Sequence, residues 1–231
     1  MAVEYGVAPD VIDNIEVPFD EMIFHLYMPV FIPENPLPED MDRLYRDLYY
    51  SLPPSLLDFR GMMATAILHE TNVVGNNFTH WYITVKNMFV TPDNMANRPG
   101  WHSDGYMTED VNYIWTNRIP SEFAVQEFVD LSPDHSVSLD EMEAQVRDES
   151  IVRYQENDLI RIDQRHIHRV PVDTYTGMRM FVKISASNHR FNLKGNAHNH
   201  QIGYDWRMYS RDELRNMESV KDNSDYVEDD E

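Results

Sequence analysis

Apolar and β-branched residues cluster in short runs between residues 80 and 190. The run at 81–90 (WYITVKNMFV) is aromatic and β-branched, and it ends on the turn signal Thr91-Pro92-Asp93-Asn94. Similar short runs at 112–117, 123–129, 151–154, 158–163 and 179–187 predict further strands, with Pro120, Pro133 and Asn157-Asp158 in the gaps. Before residue 80 the period lengthens. Met41, Leu44, Tyr45, Leu48 and Tyr49 share one face of a helix over 39–52, which Pro53 and Pro54 stop. A second helix is expected over 56–70, whereas Pro29, Pro33, Pro36 and Pro38 bar a long helix between them. Ser138 followed by Glu141 forms a capping-box pattern and predicts a helix over 138–147. The expectation is a mostly β fold with flanking helices, a sandwich or jelly roll rather than a βαβ sheet. Residues 1–79 then form a helical and irregular buttress, 80–210 the β core, and 211–231 an acidic, disordered tail.

Composition narrows the classes. The 231 residues suffice for one sizeable domain, and 42% hydrophobic residues are too many for a disordered chain. No window approaches 18 consecutive apolar residues, so no membrane span is expected. The opening MAVEYGVAPD does not read as a secretory signal, and a cytoplasmic location is the expectation. With no Cys, disulfide scaffolds, zinc fingers, iron–sulfur clusters and thiol nucleophiles are excluded, so any metal must sit on His, Asp or Glu. A net charge of −21 works against duplex nucleic acid as a partner and favours a small-molecule or side-chain substrate. Part of that excess is the stretch 222–231, with six acids and no base, which reads as a solvated tail.

The sharpest chemistry lies in Arg98-Pro-Gly-Trp-His102-Ser-Asp104-Gly-Tyr106. A His and an Asp two apart on an extended segment project from the same side, so both can reach one ion. Alone, such a pair is commonly surface polarity. A second feature follows the strand at 158–163: His166 and His168, again two apart, in His-Ile-His-Arg-Val-Pro-Val, with Arg179 opening the next strand. Two imidazoles and one carboxylate on one face of a metal leave three positions open, the arrangement of non-haem Fe(II) sites. A buried Arg nearby suits a planar carboxylate, because a guanidinium grips both oxygens at once.

The order His102-x-Asp104, a distal His168 in His-Arg-Val-Pro, then Arg179 resembles the Fe(II)/2-oxoglutarate-dependent dioxygenases over roughly residues 80–190. That resemblance implies a double-stranded β-helix, a distorted jelly roll of the cupin kind. It implies that His102, Asp104 and His168 hold Fe(II) and that Arg179 pairs with the far carboxylate of 2-oxoglutarate. The activity implied is C–H oxidation by O₂, coupled to oxidative decarboxylation of 2-oxoglutarate to succinate and CO₂. His166 is the alternative distal ligand; the interval to Arg179 and the Val170-Pro171-Val172 context favour His168 and leave His166 at the rim. Many members carry Ser or Thr two residues beyond the Arg, where this chain has Phe181.

Other residues carry weaker signals. Trp101, Tyr106, Tyr113 and Trp115 either wall a pocket or fill the core. Asn112 and Tyr82 are candidates to hydrogen-bond the co-substrate. His198 and His200 repeat the two-apart spacing without a carboxylate, in a polar loop expected to face solvent. His25, His69, His80, His135 and His189 are isolated. The segment 130–150 lies between strands and is placed to act as a lid. Two rival functions remain: a cupin-type metalloenzyme without 2-oxoglutarate, and a non-enzymatic acidic jelly-roll that binds a basic partner.

Overall fold

The runs between residues 80 and 187 are strands of a protein built mostly of antiparallel sheet with a few helices. The computed structural model describes residues 3–30, 41–172 and 175–210; Pro33, Pro36, Pro38 and the acidic stretch 211–231 lie outside the described residues. The strands are β1 (Asp10–Asn14), β2 (Ile23–Val30), β3 (His80–Val90), β4 (His102–Ser103), β5 (Val111–Thr116), β6 (Glu122–Ala124), β7 (Ile151–Arg153), β8 (Asp158–Ile162), β9 (Ile167–Arg169) and β10 (Gly177–Ser187). One sheet has the order β1-β8-β5-β10-β3-β2 and the other β4-β9-β6-β7. From β3 to β10 the chain passes between the two sheets at each step, except that β6 and β7 are neighbours in the smaller one.

Several elements escape the sequence pattern for local reasons. β1 is a largely exposed edge strand on β8, so its sequence DVIDN shows no apolar face. β2 contains Pro29, which a strand tolerates at the edge of a sheet, where β2 lies. β4 and β9 are too short to show a period. The strand expected over 123–129 covers only Glu122–Ala124. Beyond it, Gln126 N–H bonds Gly6 O at 3.0 Å, and Gly6 N–H in turn bonds Arg165 O at 2.7 Å. The helix expected from Ser138 begins earlier: α3 spans His135–Gln145, in the labelling where α1 is Met41–Ser51 and α2 is Arg60–Leu68. Its cap is Asp134, whose carboxylate accepts from Ser136 N–H and Val137 N–H, a better match to the first turn than a hydroxyl inside it. Ser138 is buried, and Glu141 accepts from Ser132 N–H.

Contacts divide the chain into two units. The first comprises Met1–Glu16, Asp20–Phe24 and Val85–Lys183. Its core joins strands of both sheets: Ile114 of β5, Phe123 of β6, Ile160 and Ile162 of β8, and Phe181 of β10. A second cluster beneath α3 contains Tyr5, Trp101, Ala124, Phe128, Met142 and Ile167. Glu122 bridges Arg153 (2.7 Å) and Arg169 (2.8 Å), tying β6 to β7 and β9. The second unit is made of Val17–Phe19, His25–Thr84 and the described part of Ile184–Glu231. There Leu44 and Leu48 of α1 are buried, as are Met63 and Ile67 of α2. A 3₁₀ turn (Pro54–Phe59) leads into α2, and a π turn (His69–Val74) follows it. The Asn199 amide donates to Pro29 O and Ser51 O, both at 2.8 Å. Among the described residues no helix is long and apolar enough to cross a membrane.

Gly6 is the sharpest backbone constraint. Its φ is +81°, and a Cβ there would stand 1.9 Å from Gln126 O and 2.6 Å from the Phe128 ring. Gly6→Ala is therefore expected to lower unfolding free energy by at least ~2 kcal/mol, from left-handed strain plus the displaced Gln126 bond. Urea denaturation checks this, and a midpoint equal to that of the native chain would contradict it.

Candidate metal centre

The site begins with strand register. β4 pairs antiparallel with β9 so that His102 stands directly opposite His168, with Ser103 opposite Ile167. Side chains directly across an antiparallel pair are close neighbours on one face. The two imidazole centres accordingly lie 4.6 Å apart. The chain turns immediately after β4, bringing Asp104 beside both rings. Asp104 Oδ1 is 3.9 Å from His102 Nε2, and Oδ2 is 3.9 Å from His168 Nε2. One ligand atom from each of the three residues lies within 4.8 Å of the others.

Both rings are held in the tautomer a metal needs. His102 Nδ1–H donates to Gly100 O at 2.9 Å, and His168 Nδ1–H donates to His166 O at 3.1 Å. Each Nε2 lone pair is thereby turned towards Asp104. Gly100 supplies its carbonyl from a φ of +78°, a conformation that glycine adopts without penalty. Burial pulls the His102 pKa below its ordinary value, against the opposing pull of Asp104. His168 is pulled down to about 4, by burial first and the neighbouring His102 second. Burial alone would raise the Asp104 pKa, but Lys183, His168 and His102 hold it well below the usual carboxylate range. Two neutral nitrogens and one ionised oxygen therefore converge, a donor set that can hold a divalent cation and is compatible with Fe(II). Ligands ~2.1 Å from one ion lie ~3.0 Å apart when they share one face, so the three side chains would draw together by about 1 Å or more on taking up a metal.

His166 is not part of this group. Its Nδ1–H donates to Asp163 Oδ1 at 2.9 Å, so its ring belongs to the β8–β9 turn. Arg165 donates to both oxygens of the same carboxylate. His166 still serves the site through its carbonyl, which orients His168.

Arg179 opens the inward face of β10 and is only 2% exposed. Its Nε donates to Arg118 O at 3.1 Å and its Nη2 to Ile119 O at 3.2 Å. Among the described residues it meets no carboxylate, and burial lowers its pKa to about 10. Two and four residues on, Phe181 and Lys183 share that face. Lys183 Nζ contacts Asp104 Oδ2 at 3.0 Å. Lys183 is a contact of the cluster that the motifs do not mark; strand parity from Arg179 is the signal that could have found it.

The remaining candidates are built into the frame. Trp101 is buried in the α3 cluster, with Arg169 Cζ 4.4 Å above its ring and its N–H bonded to Glu143. Tyr106 donates to Ser132 O, and Trp115 Nε1 donates to Ile15 O. Tyr113 and Asn112 are buried on β5. Tyr82, in the second unit, donates to His189 O, accepts from Phe191 N–H and stacks on the Phe191 ring. His198 and His200 are exposed. The segment 130–150 carries α3, which Glu143 and the contact of Arg98 with His135 fasten to the loop ahead of His102.

Compared with protein-family models, with curated proteins and with solved structures, the chain finds no match. The site therefore rests on its own geometry.

His168 sets a pH dependence for the metal-free protein. The ring titrates near 6.5 when unfolded and about 4 when folded, so the unfolded chain takes up the proton first. Its contribution is fully present above pH ~6.5 and is lost as pH falls towards 4, amounting to about 3 kcal/mol. Urea unfolding across that window checks this, and His168→Gln should flatten the slope.

Proposed function

We propose that this chain is an Fe(II)- and 2-oxoglutarate-dependent oxygenase of the double-stranded β-helix kind, acting on a small molecule or a side chain. The observation that carries it is the pairing of a His102–Asp104–His168 cluster with Arg179, a buried guanidinium that among the described residues hydrogen-bonds backbone carbonyls and meets no carboxylate. A buried cation without a counter-ion is costly, and a carboxylate from a ligand offsets that cost. Strand order supports the fold reading. The sets β8-β5-β10-β3 and β4-β9-β6-β7, with the chain passing between them, are what a jelly-roll winding requires.

In this reading His102 and His168 bind the ion through Nε2, and Asp104 contributes the one negative charge. Lys183 steadies the second oxygen of Asp104 and keeps that carboxylate ionised at any physiological pH. Arg179 holds the far carboxylate of 2-oxoglutarate and fixes which end of it faces the ion. Phe123, packed 5.7 Å from the His168 ring, and Phe181 keep water away from the reacting end. The iron, 2-oxoglutarate and O₂ supply the oxidation, in which R–H becomes R–OH while 2-oxoglutarate becomes succinate and CO₂.

Anaerobic titration of the protein with Fe(II) and then 2-oxoglutarate tests this. One equivalent of each is expected, with slow succinate release once O₂ is admitted. His102→Ala or Asp104→Ala should lose the iron. Arg179→Met should keep the iron but weaken 2-oxoglutarate at least ~30-fold, the scale of a lost buried ion pair. Iron binding without any affinity for 2-oxoglutarate would move the assignment to a cupin-type metalloenzyme. Absence of stoichiometric metal would leave only a binding protein.

A further inference from the structure

We propose that the primary substrate carries an anionic oxyacid group, a carboxylate or a phosphate, and that Lys86 binds it beside the co-substrate. This rests on the oxygenase reading and adds the chemical class of its substrate.

The chain has 19 basic residues against 40 acidic ones, yet Lys183 pairs with Asp104, and Lys86 and Arg179 both lie against the ring of Phe181, two positions before Lys183 on β10. Lys183 is paired with Asp104. Arg179 is assigned to 2-oxoglutarate. Lys86, half-buried on β3, remains. Its Nζ donates to Ala96 O at 3.0 Å and Asn97 Oδ1 at 3.5 Å, and among the described residues it has no carboxylate partner. Those two oxygens belong to the loop that leads into His102, so the ammonium is anchored on the ligand side of the strand.

One ring locates Lys86 relative to the site. Lys86 Nζ lies 5.9 Å from the centre of Phe181, and Arg179 Cζ lies 5.8 Å from the same centre. Phe24 flanks Lys86 on another side, at 6.0 Å. The ammonium thus sits among aromatic faces, with two like charges near it. Burial, then Lys183, then Arg179 bring its pKa down to about 8, with Asp104 pulling the other way. A position that resists its own charge gains from a bound anion.

Charge balance leads to the same conclusion. With a divalent ion bound, Asp104, Lys183, Arg179 and Lys86 would leave four positive charges around the site. The two carboxylates of 2-oxoglutarate remove two of them. Surplus charge in a site that excludes water is strongly unfavourable, and an anionic group on the substrate removes more of it.

The full chain, saturated with Fe(II) and 2-oxoglutarate under anaerobic conditions, is titrated calorimetrically with three probes: inorganic phosphate, acetate and neutral acetamide. One equivalent of phosphate or acetate is expected to bind without displacing 2-oxoglutarate, and acetamide is expected not to bind. The anion that binds tighter identifies the group. Lys86→Met should weaken that anion by about tenfold or more while 2-oxoglutarate affinity moves less than about threefold, and Lys86→Arg should restore it. Should Lys86→Met fail to fold, the acetate–acetamide contrast on the native chain and the variant Lys86→Gln decide. The proposal is overturned if neither anion binds at tens of millimolar, if each anion only competes with 2-oxoglutarate, or if Lys86→Met binds as tightly as native. Failure of the oxygenase reading is a separate result, because 2-oxoglutarate itself would then not bind the iron-loaded protein.

Discussion

One residue-to-residue register governs the candidate site: His102 on β4 against His168 on β9. These strands are two and three residues long, so little pairing energy of their own holds them. A slip of one position would turn one imidazole to the opposite face and break the cluster. The register is secured from outside the pair. Ser103 Oγ donates to Gln164 O at 2.6 Å, on the far side from the ligands. β6 pairs with the other edge of β9, placing Phe123 against His168, and Glu122 grips Arg169 one residue on. Asp163, His166 and Arg165 close the turn that delivers β9. Most of this part of the molecule is concerned with keeping two short strands in step.

Electrostatics then work on two scales. A chain carrying −21 repels polyanions, and its mean field discourages a duplex from approaching. Screening limits the reach of that field to roughly 8 Å in physiological salt. Inside the site the sign is reversed by Lys86, Lys183 and Arg179, all at least partly withdrawn from solvent. Under the proposed function, a small anion would meet only weak repulsion at the surface and strong attraction at these three bases. The same distribution disfavours a long polyanion, whose flanking charges would stay in the negative field.

The β-rich character was legible because 81–90 and 179–187 are long enough to show alternation, and they became β3 and β10. β1 and β2 were not, since one is exposed and the other contains a proline. The α3 cap was misread because Ser138 with Glu141 mimics a capping box, while Asp134 makes the actual bonds four residues earlier. Within the site, His102, Asp104, His168 and Arg179 could be read as a spaced set of metal- and carboxylate-binding types. Their convergence could not, because it depends on a pairing between short strands some sixty residues apart in sequence. The separation of His168 from His166 also required coordinates: both are buried histidines of one segment, and only the Asp163 contact distinguishes them. Lys86 was hidden for a different reason, and Lys183 is marked only by its parity with Arg179 on β10. A lysine in a strand is normally solvated at its tip, and nothing local marks one that turns inward.

Phe181 links these observations. Its ring has two cations against it, Arg179 Cζ and Lys86 Nζ at 5.8 and 5.9 Å from its centre. At that distance the π-face gives each cation modest support, on the order of 0.5–1 kcal/mol. As an apolar side chain it also offers these charges no solvation of its own. A drier space strengthens the attraction of Arg179 and Lys86 for any anion and also sharpens their mutual repulsion. A hydroxyl would have offered a ligand carboxylate one neutral hydrogen bond. The phenyl ring offers no such bond, so under the proposed function recognition would fall to charge, and an anionic group would count for more than the pattern of donors and acceptors around it.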